Sequence, residues 1–303
     1  MHQLASHSLG TLEIIHQFDD FLGSIRTVAD IGCGDGGDTI WWATLTNFEE
    51  SPKPYNFKVF AVDKDSSKLS QIPDLPNIIK INRDFTEPHI FPTDIDFMWA
   101  HDCLQFSHNP LETLRFWNES MTVNGMLILS VPQHSGVEFN KYYSRTYSNC
   151  YYHYTPTMLL YMLAVNGFDC RDAYLLKKFQ DPWINIAVYK TDQASLDPKT
   201  TTWFDLIDKN LLHPSIVDSI NKHGCLRQEE VVMPWLDREN YFIDYVSVWT
   251  EPFPNMPPAE KEGVFNTTIP SIETTLIQKG KAVKTTPLLK PIGVMRPPRK
   301  KND

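Results

Sequence analysis

The sequence has no apolar run that approaches the ~20 residues needed for a membrane-spanning helix. Its start has no basic segment followed by a long apolar stretch, so we expect no signal peptide. The five cysteines are widely spaced and include no C-x-x-C pair, which argues against a disulfide framework or a structural zinc site. These absences predict a soluble, cytoplasmic protein with no membrane contact and no bound metal.

Charge is distributed unevenly along the 303 residues. Residues 279–303 carry eight Lys or Arg and one acid, so the net charge of −9 leaves −16 on the rest of the chain. An acidic body repels nucleic acid, whereas the basic end attracts anions. Hydrophobic residues make up 42% of the chain, which predicts a mostly globular protein with a sizeable buried core.

Short apolar runs alternate with helical patterns over the first two thirds of the chain. Strands are predicted at residues 27–31, 58–63, 78–81, 95–100, 125–131, 173–178 and 184–190. Helices are predicted at 9–22, 38–45, 110–121 and 156–166, the last with Thr155 as its N-cap. This alternation predicts an α/β fold with a doubly wound, mostly parallel, seven-stranded Rossmann-like sheet.

Composition and hydrophobic pattern divide the chain into three parts. Residues 1–195 hold the predicted α/β domain. Residues 196–250 form a small appendage, with helical patterns at 204–211 and 215–223 and a strand-like run at 241–249. Residues 251–303 contain nine prolines and the late basic charge, which is typical of an extended tail.

A glycine-rich turn follows the first predicted strand directly, and its glycines are Gly32, Gly34 and Gly36. Such glycines let the backbone approach a ligand, and the next helix offers free N–H groups. Dinucleotide-binding folds share this pattern. Asp30 and Asp35, however, would repel a pyrophosphate and suit a cationic amino-acid group. Asp63 ends the next strand, where it is placed to accept hydrogen bonds from both ribose hydroxyls.

Four segments in the correct order resemble the motifs of class I S-adenosylmethionine-dependent methyltransferases. Residues 28–36 resemble the first motif, and residues 60–63 resemble the second, which ends in the ribose-binding acid. Residues 82–85 resemble the third, whose acid usually meets the adenine amino group. Residues 96–102 resemble the fourth, whose end faces the transferred methyl group. Together with a Thr-Pro…Gly-Phe segment typical of small-molecule members, the resemblance covers about residues 10–190 and implies S-adenosylmethionine as the cofactor.

The resemblance also implies the site residues. The cofactor would be bound by Asp30, Gly32, Gly34, Gly36, Asp63, Asp84 and Phe85. His101 and Asp102 are the catalytic candidates, because they follow the fourth strand at the edge where open α/β sheets bind ligands, and a histidine beside a carboxylate can accept a proton. Many small-molecule members carry Leu-Glu-His shortly after this point, where this chain has Leu-Gln-Phe ending at Phe106.

Further candidates follow the fifth strand. His134 and His153 are alternative bases, and the tyrosine-rich residues 142–154 are interpreted as a lid over the acceptor. For His153 and Tyr154, simple packing is an equally good interpretation.

Several site residues also have a purely structural interpretation. The glycines could form a simple tight turn, and Asp63 could be a solvated turn residue. Asp30 could cap a helix, although Asp38 is better placed for that role. Cys33 is expected to pack as a small apolar residue behind the turn.

Two functions from different classes remain open. The first is methyl transfer to a small or modest-sized acceptor. Residues 109–112 read Asn-Pro-Leu-Glu and do not match the Asn/Asp-Pro-Pro-Tyr signature of many nucleic-acid amino-methylating enzymes. The second is a methyltransferase-fold structural or assembly protein, for example of a virion or a large complex. Such a protein would dock on protein or nucleic acid through its basic C-terminal tail.

Overall fold

The computed structural model describes residue 15 and residues 18–46, 53–132, 150–176 and 183–227. Its strands are β1 (Thr27–Ile31), β2 (Lys58–Asp63), β3 (Ile78–Asn82), β4 (Ile95–His101), β5 (Met121–Pro132), β6 (Phe168–Leu176) and β7 (Trp183–Lys190). Its helices are α1 (Asp19–Ser24), α2 (Gly37–Thr44), α3 (Ser66–Leu69), α4 (Pro110–Glu119), α5 (Pro156–Val165), α6 (Trp203–Asp208) and α7 (Pro214–His223), with a 3-10 turn at Leu104–Phe106. No helix in these ranges is long and apolar enough to cross a membrane.

All seven strands belong to one sheet, in the order β3-β2-β1-β4-β5-β7-β6. The pairs among β1 to β5 are parallel, whereas β7 runs antiparallel to both β5 and β6. The strand order reverses between β1 and β4, and open α/β sheets bind ligands at the carboxyl ends of the strands beside such a reversal. The prediction of a doubly wound, mostly parallel α/β sheet is therefore confirmed.

Alternating residues on the strands enter two different apolar layers, as the period of two in a strand requires. Val28, Phe97 and Trp99 pack with α1 and α2, in a layer rich in aromatic rings that includes Trp42. The alternate positions, such as Ala29 on β1, pack with α4 and α5 on the other face of the sheet. Burial on both faces explains the near-continuous apolar runs that revealed the strands in the sequence.

Side-chain caps fix where the two helices of the second layer begin. The Asn109 side chain accepts a hydrogen bond from the Glu112 N–H at 3.3 Å, and the Thr155 hydroxyl accepts one from the Met158 N–H at 3.2 Å. Each cap is followed by a proline at the first helical turn. The predicted start of a helix after Thr155 is confirmed, and the chain turns after α5 at Gly167, whose φ is +80°.

The residues after β7 pack onto the same core as the sheet. Leu206 of α6 and Ile216 and Ile220 of α7 join the apolar cluster that contains side chains of β5 and β7. The Cys170 N–H of β6 donates to the Leu211 carbonyl at 2.9 Å. The helices predicted at 204–211 and 215–223 are thus present, the first of them shorter. Residues 241–249 and 251–303 lie outside the described residues, and the division at 195 and 250 stays a prediction.

Some local features differ from the predictions. β6 begins at Phe168 rather than at residue 173, because an ion pair between Asp169 and Arg171 interrupts the apolar pattern without ending the strand. The register of β6 against β7 shifts in the same region. The short helix α3 was not predicted, since four residues are too few to show a helical period. The helix predicted at 9–22 lies mostly outside the described residues, apart from its end.

Candidate functional site

The glycine turn lies between β1 and α2, and its three glycines have φ values of +68°, +57° and +82°. A Cβ atom on Gly32 would lie 2.7 Å from the Cβ of Cys103, and one on Gly36 would lie 2.4 Å from Ile72. No atom lies within 4 Å of the Cβ position of Gly34. Packing therefore requires glycine at the two ends of the turn, while the middle leaves open space in which a ligand can approach the backbone.

Asp63 joins the end of β2 to this turn. Its Oδ2 accepts a hydrogen bond from the Gly34 N–H at 3.0 Å, and its Oδ1 accepts one from the Asp65 N–H at 2.8 Å. The side chain is half-buried. Each carboxylate oxygen has a second lone pair, so Asp63 can hold the turn and still accept hydrogen bonds from two hydroxyl groups.

Asp30 and Asp38 place two buried carboxylates beside the turn. Asp30 is 3% exposed, and its Oδ2 accepts a 2.6 Å hydrogen bond from the Thr39 hydroxyl. Burial raises the pKa of Asp30 well above its usual value; the charge of Asp38 raises it further, against the lowering by Thr39. A nearby cation would stabilise the ionised form of such a buried carboxylate.

Asp38 does not cap α2. The N-cap of that helix is Gly36, with no side-chain hydrogen bond to the first turn. The Oδ2 of Asp38 instead accepts a hydrogen bond from the indole N–H of Trp99 at 2.9 Å. Asp38 is better placed than Asp30 for a helix cap in the sequence, but its side chain turns inward to the sheet.

Asp84 and Phe85 follow β3 at the same edge of the sheet. Burial raises the pKa of Asp84, but the hydrogen bonds from Thr86 and the charge of Lys64 outweigh it and lower the pKa overall. The Oδ1 of Asp84 accepts from the Thr86 N–H at 3.0 Å and from its hydroxyl at 2.8 Å. The Phe85 carbonyl accepts from the Trp117 indole N–H at 3.0 Å. Both residues are thus held in place by the protein itself.

His101 is the last residue of β4 and is only 5% exposed. Its imidazole stacks on the Trp99 indole, with ring centroids 4.2 Å apart and an angle of 19° between the planes. Asp102 follows in the left-handed region with φ at +51°, which aspartate tolerates better than most residues. The Nε2 of Gln105 donates a hydrogen bond to Oδ1 of Asp102. The two predicted catalytic side chains are therefore held by different neighbours.

The thiol of Cys103 shows that the predicted acids converge. Burial raises its pKa, and the charges of Asp102, Asp30 and Asp63 raise it further, in that order. Its Cβ also lies against the turn at Gly32. The ends of β1, β2 and β4 are neighbours in the sheet, and the carboxylates of both predicted subsites are near enough to Cys103 for their charges to raise its pKa.

The end of the tyrosine-rich segment lies along this edge. The Tyr151 N–H donates to the Gln105 carbonyl at 2.9 Å, and the Tyr154 N–H donates to the Pro132 carbonyl at 2.8 Å. Tyr154 is fully buried and donates its hydroxyl to the Leu104 carbonyl at 3.3 Å, so it packs in the core. The Nε2 of the half-buried His153 lies 3.9 Å from the sulfur of Cys150. His134 and residues 142–149 of the predicted lid lie outside the described residues.

The sequence did not reveal the contacts of Trp99 and Gln105, which hold the catalytic candidates in place. Both side chains lie in or beside the fourth motif, but a single sequence gives no sign of which partner each one meets. Cys33, by contrast, packs with Ala61, Leu69 and Ile72, as predicted.

Three other observations concern the described part of the chain. A cavity of about 400 Å³ lies among α5, α6 and α7 and is lined by Tyr161, Thr201, Thr202, Trp203, Phe204, Ile220, Gly224 and Cys225, none of which is a predicted site residue. Within the described ranges, no group of three or more His, Cys, Asp or Glu side chains could hold a metal ion. All five cysteines are free thiols.

The decisive observation is the combination of a glycine turn after β1 with a seven-stranded sheet in which antiparallel β7 lies between β5 and β6. The chain has the class I methyltransferase fold. Neither a protein-family model nor a curated protein matches the sequence.

Several solved methyltransferase structures share part of this fold. Human N-acetylserotonin methyltransferase, solved in complex with S-adenosylmethionine, is 18% identical over 61% of this chain and 52% of that chain, with a TM-score of 0.46. An S-adenosylmethionine-dependent methyltransferase from Mesorhizobium loti is 14% identical over 60% of this chain and 98% of that chain, also at 0.46. The Burkholderia thailandensis 1,6-didemethyltoxoflavin-N1-methyltransferase, with bound 1,6-didemethyltoxoflavin and S-adenosylhomocysteine, is 18% identical over 61% of this chain and 80% of that chain, at 0.44.

Proposed function

We propose that this protein is an S-adenosylmethionine-dependent methyltransferase that acts on a small or modest-sized acceptor. The observation that carries the proposal is the hydrogen bond between the Asp63 carboxylate and the Gly34 N–H, at a glycine turn whose middle is open and which directly follows the buried carboxylate of Asp30. These groups lie at the carboxyl edge of the sheet, where the strand order reverses and where this class of fold binds its ligands.

The donor set fits the cofactor. The open space over Gly34 admits the ligand to the backbone, and Asp63 keeps lone pairs for the ribose hydroxyls. The buried Asp30 suits the ammonium group of the methionine part, because a nearby cation stabilises its ionised form. Asp84 and the backbone of Phe85 are the proposed contacts of the adenine. When bound, S-adenosylmethionine supplies an activated methyl group on a positively charged sulfur.

The acceptor is proposed to lie against His101 and Asp102. Direct displacement mainly requires that the acceptor atom be aligned with the methyl group, so the protein acts by positioning. The His101 imidazole accepts the proton that a hydroxyl or amine acceptor loses, and Asp102 contributes a negative charge beside it. Gln105 orients the Asp102 carboxylate through its hydrogen bond.

The short segment at residues 150–154 supports an acceptor of limited size. It is attached to Gln105 and Pro132, so it runs across the edge of the sheet close to the end of β4. We expect a segment in this position to limit the room for a large folded acceptor. The segment therefore favours a small molecule over a folded macromolecule as the acceptor.

Mass spectrometry of ligands released from the purified protein, together with titration calorimetry, tests the proposal. We expect S-adenosylmethionine or S-adenosylhomocysteine either to copurify or to bind the purified chain with measurable heat. A competition with ATP and NAD serves as the control, because dinucleotide folds share the glycine turn. Tight binding of NAD with no binding of S-adenosylmethionine would contradict the assignment.

A further inference from the structure

Trp99 is a fully buried side chain that contacts both parts of the candidate site. Its indole N–H donates a 2.9 Å hydrogen bond to Asp38, in the first turn of the helix that follows the glycine turn. The face of the same indole stacks on the imidazole of His101 at 4.2 Å. One rigid ring therefore lies between the proposed cofactor-binding turn and the proposed base.

Charge also connects Trp99 to the cofactor side. Asp30 and Trp99 are partners in the register of β1 and β4, so their side chains leave the same face of the sheet. The carboxylate of Asp38, which holds the Trp99 indole, is close enough to Asp30 for its charge to raise the pKa of Asp30. A cation that arrives beside Asp30 therefore changes the electrostatic environment of Asp38, and with it the hydrogen bond to Trp99.

We propose that Trp99 is a positioning residue that transmits occupancy of the cofactor site to the imidazole of His101. This inference rests on the proposed function, because it takes the ammonium group beside Asp30 to be that of the cofactor. A cation beside Asp30 changes the local charge, which alters the hydrogen bond between Asp38 and the indole. The indole then shifts, and the imidazole stacked on it shifts with it. A coupling of this kind is reciprocal, so changes at His101 also alter cofactor affinity, typically by about 5- to 150-fold in coupled sites.

The test is an NMR experiment on the full chain labelled at histidine, with S-adenosylhomocysteine as the probe. The His101 ring signal is assigned by its absence from the His101→Gln spectrum. In the wild-type protein we expect this signal to shift as the probe saturates the site. In Trp99→Phe, which keeps an aromatic ring but loses the N–H donor, we expect that shift to be largely lost.

Trp42→Phe is the matched control. Trp42 is also fully buried and lies edge-on to Trp99, with ring centroids 5.2 Å apart. Its indole N–H has no hydrogen-bond partner in the described part of the chain. The substitution therefore perturbs the same aromatic layer without removing a link to Asp38, and the His101 shift should persist.

Each outcome decides one of the two proposals. If calorimetry finds no binding of the probe to the wild-type protein, the proposed function is wrong. If the probe binds and the His101 signal shifts equally in Trp99→Phe and wild type, the role of Trp99 is wrong. Should Trp99→Phe fail to fold, Asp38→Asn takes its place, since it keeps an oxygen for the indole but removes the charge near Asp30. A full His101 shift in that variant would also overturn the inference.

Discussion

The backbone N–H of Gly34 donates a 3.0 Å hydrogen bond to the Oδ2 atom of Asp63. This bond joins the turn after β1 to the end of β2, and the same carboxylate is the proposed ribose ligand. We expect Asp63→Ala to lower the affinity for S-adenosylmethionine, measured by calorimetry, by about 10- to 150-fold, since a hydrogen bond to a charged group contributes about 1.5–3 kcal/mol.

Two control variants sharpen this prediction. Asp63→Asn keeps an acceptor oxygen for the Gly34 N–H, so it should lose less affinity than Asp63→Ala. Asp74→Ala removes an exposed carboxylate that pairs with Lys80 at 2.7 Å, and it should bind the cofactor normally. Unchanged affinity in Asp63→Ala would exclude Asp63 from the site.

Asp30→Asn should stabilise the ligand-free protein at neutral pH. Burial and the Asp38 charge raise the pKa of Asp30 in the folded state above the ordinary value of 3.8, so the folded chain binds the proton more tightly than the unfolded chain. The contribution of Asp30 to the free energy of unfolding therefore falls as pH rises from about 4 through the folded pKa. The variant has no ionisable group at this position, so its stability does not fall in this way. Its melting temperature should exceed that of wild type most clearly at neutral pH.

Asp205→Asn should change the stability at neutral pH in the opposite direction. The hydrogen bonds from Thr202 lower the pKa of Asp205, so its contribution to stability is present above the ordinary pKa and is lost on acidification. Removing this charge should lower the melting temperature at neutral pH. Melting curves between about pH 4 and pH 8 separate the two cases. A lower melting temperature for Asp30→Asn at neutral pH would contradict the first prediction.

His101→Ala should lower methyl transfer by about 10²- to 10⁴-fold if His101 accepts the acceptor's proton. Cofactor affinity should change less, because the donors of the cofactor site are Asp30, Asp63 and the turn, and His101 affects them only through the coupling by way of Trp99. The matched control is His108→Ala, which removes an exposed imidazole whose ring centroid lies 4.3 Å from that of Tyr151. Single-turnover rates with labelled cofactor give the comparison. A small drop in His101→Ala would mean that His101 only lines the acceptor site.

Asn185→Leu should raise the free energy of unfolding. Asn185 is 2% exposed, and its Nδ2 has no hydrogen-bond partner in the described ranges. Removal of a buried, unpartnered donor should stabilise the fold by about 1–3 kcal/mol in urea unfolding. Asn166→Leu is the contrasting variant, because its Nδ2 donates to the Leu111 carbonyl at 3.1 Å and the Met162 carbonyl at 2.9 Å. That variant should be less stable than wild type, and loss of stability in both would refute the prediction for Asn185.

Deletion of residues 279–303 should leave cofactor affinity unchanged, because none of the proposed site residues lies in that range. The deletion removes eight cationic side chains. Co-sedimentation with double-stranded DNA as the anionic probe should therefore be lost in the truncated chain. In the full chain it should weaken with salt, since the Debye length falls from about 10 Å at 0.1 M to about 3 Å at 1 M. Loss of cofactor binding on truncation would show that the tail contributes to the site.

The sequence by itself determined most of the helices and strands and the edge of the sheet at which the proposed site lies. Strands such as β1 and β2 were evident because burial on both faces requires an apolar run, and the acids Asp30 and Asp63 stand at or next to the ends of these runs. The glycine turn was evident because left-handed φ values favour glycine. These signals are local, so a single chain is enough to reveal them.

Only the tertiary structure decided which side chains meet. The bond between Trp99 and Asp38 joins residues 61 positions apart, and the approach of Gly32 to Cys103 depends on β4 lying beside β1. Neither contact follows from hydrophobic period or turn chemistry, because both depend on the order in which the strands are arranged in the sheet. For the same physical reason, the inward turn of Asp38 could not be foreseen: its position in the first helical turn suits a cap, and the tertiary partner Trp99 overrides that local preference.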